Sequence, residues 1–271
     1  MQIHNCKDGV LFCREDHSLV CFPNMLAVPA DDEEEEAEAL TYTVPAGTEI
    51  IRGNAFGGVE CLSEILLPDS LRAIGAQAFG FCFSLNRLTV PDSVTEIGDA
   101  AFDSCNYLGR VVLPAGLKRI PSALFYQCDS LYAADIPETV TEIGDSAFDF
   151  CGSLEHARIP DGVTVIKTAV FEGCCSLESV VIPDSVTEIG AFAFCGCSAL
   201  SGIHIPPTVT KIGDYCFQDC GSLKELAIPD SVQSIGEHAF DFCSADLVII
   251  CGPDSFAKTY CEQKGIAFRT E

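Results

Sequence analysis

Nine times between residues 39 and 245 the chain repeats one 23-residue unit, and three positions of it never vary: a Pro, an Ile six residues later and a Phe five after that. The prolines run from Pro45 to Pro229, the isoleucines from Ile51 to Ile235 and the phenylalanines from Phe56 to Phe240. A fixed period of this length is the mark of a solenoid, in which each unit buries its apolar face against its neighbours. An unbroken array makes the 271 residues one elongated body rather than two ordinary domains.

Repeat seven, residues 177–199, shows how one unit folds. Val180 and Ile182 alternate with Ser179 and Val181, the period of a strand. Pro183 cannot donate a ladder hydrogen bond and closes that strand, and the Pro-Asp-Ser after it reads as a turn. Val186 to Ile189 is a second short extended piece that ends at Gly190. The last third, around Phe194 and Cys197, reads as one or two helical turns that return the chain, so the expected class is α/β. Ile97, Phe102, Ile143, Phe148, Cys151, Ile189, Phe194 and Cys197 are accordingly structural. Gly98, Gly144, Gly190, Gly213 and Gly236, each following the fixed Ile, are read as serving the turn.

Seventeen cysteines raise the question of disulfides or metal. Eight of them, from Cys82 to Cys243, occupy one repeat position and form a ladder with one thiol per rung. Rungs of a stacked sheet lie about 4.8 Å apart, whereas a disulfide needs Cβ atoms about 3.5 to 4.5 Å apart. The ladder is therefore read as free, buried thiols, with no metal and no cofactor expected. Thiol chemistry by an off-ladder residue such as Cys195 or Cys216 is the remote enzymatic alternative.

Fifteen basic against forty acidic residues give a formal charge of -25. A surface that negative repels phosphate backbones and anionic headgroups, which argues against nucleic acid and anionic membranes as partners. No run of 18 apolar residues exists, and Met1 to Lys7 lacks a basic segment followed by an apolar one, so neither membrane insertion nor a signal peptide is expected in this sequence.

The unit has the form Leu-x-x-Ile-x-Ile-Pro-x-x-Val-x-x-Ile-Gly-x-x-Ala-Phe-x-x-Cys, and it resembles the BspA-like class of leucine-rich repeat proteins over residues 39–245. Local departures are Arg52, Pro121 and Lys167 in place of the Gly after Ile, and Val59 in place of the first Cys. The resemblance implies a right-handed arc with parallel strands along its concave side. It also implies a surface or secreted, adhesin-like protein; the missing signal favours an intracellular interaction scaffold as the alternative.

Solenoid ends need caps. Residues 1–38 are expected to form a hairpin, Gly9 to Phe12 with Leu19 to Phe22, followed by the acidic run Asp31 to Glu36 as a solvated loop rather than a calcium site. Residues 246–271 are expected to supply a strand from Leu247 to Cys251, a helix over Ser255 to Lys264 and a last strand at Ile266 to Phe268, with Phe256 and Tyr260 sharing the helix's inner face. The three segments make one continuous domain, expected to be a monomer.

Binding residues are sought where the repeat varies. Residues two and four before each Pro point outward and carry Arg87, Arg110, Arg158, His156 and His204 against only Glu64, Asp135 and Glu225. In so acidic a chain this sheet face is locally neutral to basic. Arg87 and Arg110 share a column on adjacent rungs, where like charges are unfavourable and invite an anion or an acidic partner group. Asp135 is expected to pair with Arg158, leaving Arg87 and Arg110 the less neutralised. His156 and His204 lie two rungs apart, too far to share a metal. The residue before each fixed Ile alternates in charge, Glu142 after Arg119 and Lys211 after Glu188, which reads as register support. The function expected is non-enzymatic recognition of a protein or glycan across this face.

Overall fold

The computed structural model describes residues 3–5, 10–13, 15–22 and 39–271. The acidic run Asp31 to Glu36 lies outside them, as do Gly9 and Arg14. Each repeat adds a rung to a parallel solenoid. One row of strands precedes the prolines (Leu62–Leu66, Arg87–Thr89, Arg110–Val112, Ala133–Asp135 and so on), and a second row of two-residue strands ends at the fixed Ile. Register advances by one repeat per strand, with Arg110 opposite Arg87 and Lys211 opposite Glu188.

The phenylalanines form one stacked column through the core. Phe56 stacks on Phe79 with ring centroids 5.0 Å apart, and the series continues to Phe217 on Phe240 at 5.7 Å. Phe22 of the N-terminal cap stacks on Phe56 at 5.2 Å, and Tyr260 of the C-terminal helix closes the other end edge-on to Phe240 at 6.0 Å. Offset aromatic contacts contribute beyond the burial of their area. Phe102, Phe148, Phe194, Cys151, Cys197, Ile189 and Ile143 are buried, while Ile97 is half-buried.

The thiol ladder has a bonding role. Cys82 donates its S–H to the carbonyl of Phe56 at 3.1 Å, Cys151 to that of Phe125 at 3.2 Å, and the pattern holds through Cys243 to Phe217 at 3.0 Å. Each thiol thus ties its repeat to the Phe of the one before. Repeat one follows no other repeat, and there the position is Val59, buried and apolar.

The return leg is not helical, contrary to the sequence expectation. Two residues per repeat, two before and two after the Phe, take left-handed backbone: Gln77 and Phe81 (φ 52° and 62°), Ala123 and Gln127, Ser146 and Phe150. Alternation with left-handed residues turns every second N–H along the solenoid axis. Gln77, Phe79 and Phe81 therefore donate to Asp99, Ala101 and Asp103 of the next repeat instead of bonding within a helix. Among the described residues the only helix is Phe256–Lys264.

The glycines after the fixed Ile also differ from expectation. Their φ values are not left-handed; a Cβ on Gly98, Gly144 or Gly213 would stand 2.3 or 2.4 Å from backbone of the preceding repeat. They permit close rung approach rather than a turn. At Arg52 the lower neighbour is the cap instead, and the side chain reaches across to Asp16 and Ser18.

At the N-terminus Leu11–Cys13 and Ser18–Cys21 pair antiparallel, and Ile3–Asn5 adds an outer strand; Ser18–Cys21 then joins the second row beside Ile50–Ile51. At the C-terminus Val248–Cys251 continues the first row and Phe268–Thr270 pairs beyond it. Ser255 caps the helix by accepting from the Lys258 amide, and left-handed Gly265 ends it. The helix buries Ala257, Tyr260 and Cys261, one face at spacing i, i+3, i+4, which leaves Phe256 exposed rather than inward.

Candidate binding groove on the first strand row

Outward residues of repeats two to five line an open groove of about 760 Å³, comprising Ser63, Glu64, Asn86, Arg87, Thr89, Arg110 and Tyr132 over a floor that includes Leu88 and Val112. The alternation of each strand dictates this placement: Leu88 and Val111 are buried while Arg87, Thr89, Arg110 and Val112 are exposed. Arg87 and Arg110 are register partners, as their column predicts.

Their neutralisation differs from the expectation. Asp135 pairs with Arg110, Nη2 to Oδ2 at 2.8 Å, and not with Arg158. The pair raises the Arg110 pKa, first through the hydrogen bond and then through the charge of Asp135. Arg158 turns instead to Glu138 at 3.1 Å and Asp161 at 3.6 Å. The cause is in the ladder: Ala133–Asp135 pairs with Arg110–Val112, whereas no pairing joins it to His156–Arg158. Arg87 therefore stands apart. Glu64 is its register partner, yet among the described residues Arg87 makes no ion pair.

The two histidines are not brought together. His156 contacts Ser179 through Nδ1 and Oγ at 3.0 Å, and exposed His204 lines a separate hollow with Pro207, Ile228 and Glu271. Among the described residues no cluster of His, Cys, Asp and Glu has the arrangement to hold a metal ion. The register pairs before the fixed Ile do form, Lys211 to Glu188 at 2.6 Å and Arg119 to Glu142 at 3.8 Å. Burial first, then nearby carboxylates, push the Cys195 thiol up to about 11, and burial drives Cys216 well above its usual value. Thiolates are thereby disfavoured at both.

Sequence reasoning missed Asn86 and Tyr132. Both belong to the column just before the outward strand residue, where Gly109 leaves room for the Tyr132 ring: a Cβ there would meet ring carbon Cε1 at 3.1 Å. A Gly one repeat before a Tyr in the same column was the legible signal.

Comparison with known proteins agrees with this architecture. The family model described as "BspA type Leucine rich repeat region (6 copies)" matches residues 49–177 and 166–260. No curated protein matches the sequence. Among solved structures, the Treponema pallidum (T. pallidum) leucine-rich repeat protein is 28% identical with a TM-score of 0.54, covering 73% of this chain and 87% of its own. The pneumococcal vaccine antigen PcpA is 21% identical with a TM-score of 0.56, covering 81% of this chain and 64% of its own. No helix among the described residues is long and apolar enough to cross a membrane. The repeat, its parallel rungs and the matched residues make this chain a member of the BspA-type leucine-rich repeat family.

Proposed function

We propose that the chain is a non-enzymatic, adhesin-like recognition module that engages a protein or glycan through the first strand row, centred on the groove at Arg87 and Arg110. The observation that carries this reading is Arg87: an exposed guanidinium with no ion pair among the described residues, in a chain of charge -25, beside hydrogen-bonding Asn86, Thr89 and Ser63. A planar guanidinium suits a carboxylate bidentately, and Tyr132 offers an aromatic edge to the same ligand. Membership of a repeat family built for binding supports the general role. Presentation at the cell surface follows from the family's usual setting and forms part of the proposal.

The test is retention on an array of neutral glycans, carboxylate-bearing glycans and acidic peptides, comparing the native protein with Arg87→Glu/Arg110→Glu. Carboxylate-dependent retention that the double variant loses, at unchanged melting temperature, is the expected result. Equal retention by the folded variant would sink the assignment of this groove.

A further inference from the structure

The interface between repeats five and six, residues 131–153 and 154–176, lacks the strand-row pairing found at every other junction. Among the described residues of repeats one to nine, it is the one junction where neither strand row pairs: Ala133–Asp135 does not pair with His156–Arg158, nor Glu142–Ile143 with Val165–Ile166. Elsewhere at most one row is interrupted, as at Pro121, which has no N–H to give.

Particular residues account for the gap. At Gly75, Gly98, Gly144, Gly190, Gly213 and Gly236 the amide donates to the Ile carbonyl of the preceding repeat at 2.7 to 2.9 Å. Lys167 holds this position in repeat six and makes no such bond. A Cβ on its counterpart Gly144 would lie 2.4 Å from backbone of the preceding repeat, so a side chain at Lys167 must hold its rung away from repeat five. Two residues after the Pro, Thr139, Ser185, Thr208 and Ser231 donate a hydroxyl to the preceding repeat at 2.7 Å. Gly162 has none to donate, as is also true of Gly116 in repeat four, whose junction keeps its first-row pairing. The inward strand position carries Ile65, Leu88, Val111, Val180 and Leu226 elsewhere but only Ala134 and Ala157 here, both half-buried.

The return leg, by contrast, is intact across this junction. Ser146, Phe148 and Phe150 donate to Thr168, Val170 and Glu172 at 2.9, 3.0 and 2.7 Å, and Phe148 stacks on Phe171 at 5.5 Å. On the strand side the two repeats are held by side chains, Lys167 to Glu142 at 2.6 Å and Arg158 to Glu138 at 3.1 Å.

We propose that this junction is a hinge, closed along the return leg and free to open along both strand rows, with the two ion pairs as its latches. It divides the strand-row face into a plate bearing Arg87, Arg110 and Asp135 and a plate bearing His156, Arg158 and His204. Arg158 belongs to both latch and face, so on the binding reading above a partner that captures Arg158 also unlatches the solenoid and changes the angle between the plates.

Double electron–electron resonance on ligand-free protein tests the hinge independently of any binding. Nitroxide-bearing noncanonical residues at exposed Leu66 and Val181 span the junction, and a pair at Thr43 and Val112 stays within one plate. The spanning pair is expected to give the broader distance distribution. In Lys167→Gly/Gly162→Ser, which exchanges the Lys167–Glu142 latch for the missing amide and hydroxyl bonds between backbone rungs, it should narrow to the width of the within-plate pair. Raising salt to about 1 M, where the Debye length is roughly 3 Å, should broaden it further in the native protein by weakening the latches. A native distribution as narrow as the within-plate control, and unmoved by salt, overturns the hinge.

Discussion

Asp149 sits in the return leg almost fully enclosed, with Oδ1 lacking any hydrogen-bond partner among the described residues. Burial first, then the charge of Glu172 one rung on, push its pKa up to about 7. Glu172 is itself raised by burial. The sign follows from linkage. Below pH 3.8 both the folded and unfolded carboxyls hold their proton and Asp149 contributes nothing; between there and about 7 the unfolded chain ionises while the folded one resists, so stability falls as pH rises. Asp149→Asn removes the ionisation. Relative to the native protein, its stability in urea should therefore gain on the order of 2–4 kcal/mol on going from about pH 4 to about pH 8. A gain independent of pH would show that Asp149 is not held protonated. Nothing in the sequence marked this residue, because its column also holds Asp103, Tyr126, Glu172 and Cys195, a mixture without an apolar or charged pattern. The fixed Phe beside it was legible at once, since only a core position repeats one aromatic nine times.

At the scale of the element, strands and ladders were readable and the return leg was not. Alternation about each Pro placed Leu88 inward and Arg87 outward without ambiguity. Small residues around Phe194 suggested a helix on propensity, but left-handed backbone at Phe192 and Gly196 sends the amides to the next repeat, a tertiary arrangement that no single unit encodes. The Cys column likewise looked like a small apolar filler, and its bonding role needed the Phe carbonyl of the neighbouring rung to be seen. That role governs reactivity. Burial pushes Cys82 up to about 12 and Cys105, Cys151 and Cys197 well above the usual thiol value. Brief alkylation of the native protein near pH 7, read by peptide mass spectrometry, should label exposed Cys21 and Cys175 and spare the ladder from Cys82 to Cys220, all buried. Rapid labelling of Cys151 in folded protein would contradict both its burial and its bond to Phe125.

For the whole molecule, stability in a solenoid is close to a sum of repeat terms and nearest-neighbour interface terms, so one weak interface limits cooperativity. Repeats five and six share the Phe148–Phe171 stack, the return-leg bonds and two half-exposed ion pairs, and such ion pairs contribute only about 0–1 kcal/mol each. The missing strand-row bonds are worth roughly 0.5–1.5 kcal/mol apiece in an intact rung. Residues 39–153 and 154–271 should then unfold as two partly independent units. Equilibrium urea unfolding, followed by hydrogen exchange of amides in each half, is expected to show two transitions, the more stable half keeping protection after the other has lost it. Lys167→Gly/Gly162→Ser, by restoring the amide and hydroxyl bonds of the junction, should merge them into one transition with a steeper slope, since the slope reports the surface exposed in one cooperative step. Phe148→Ala, which removes the stack at the junction itself, should separate the two transitions further than Phe194→Ala, which weakens an interface within one unit and shifts chiefly that unit's midpoint. Coincident loss of protection in both halves of the native protein would mean that the return leg alone couples the plates fully, and that a nine-repeat array can lose both strand rows at one rung without losing cooperativity.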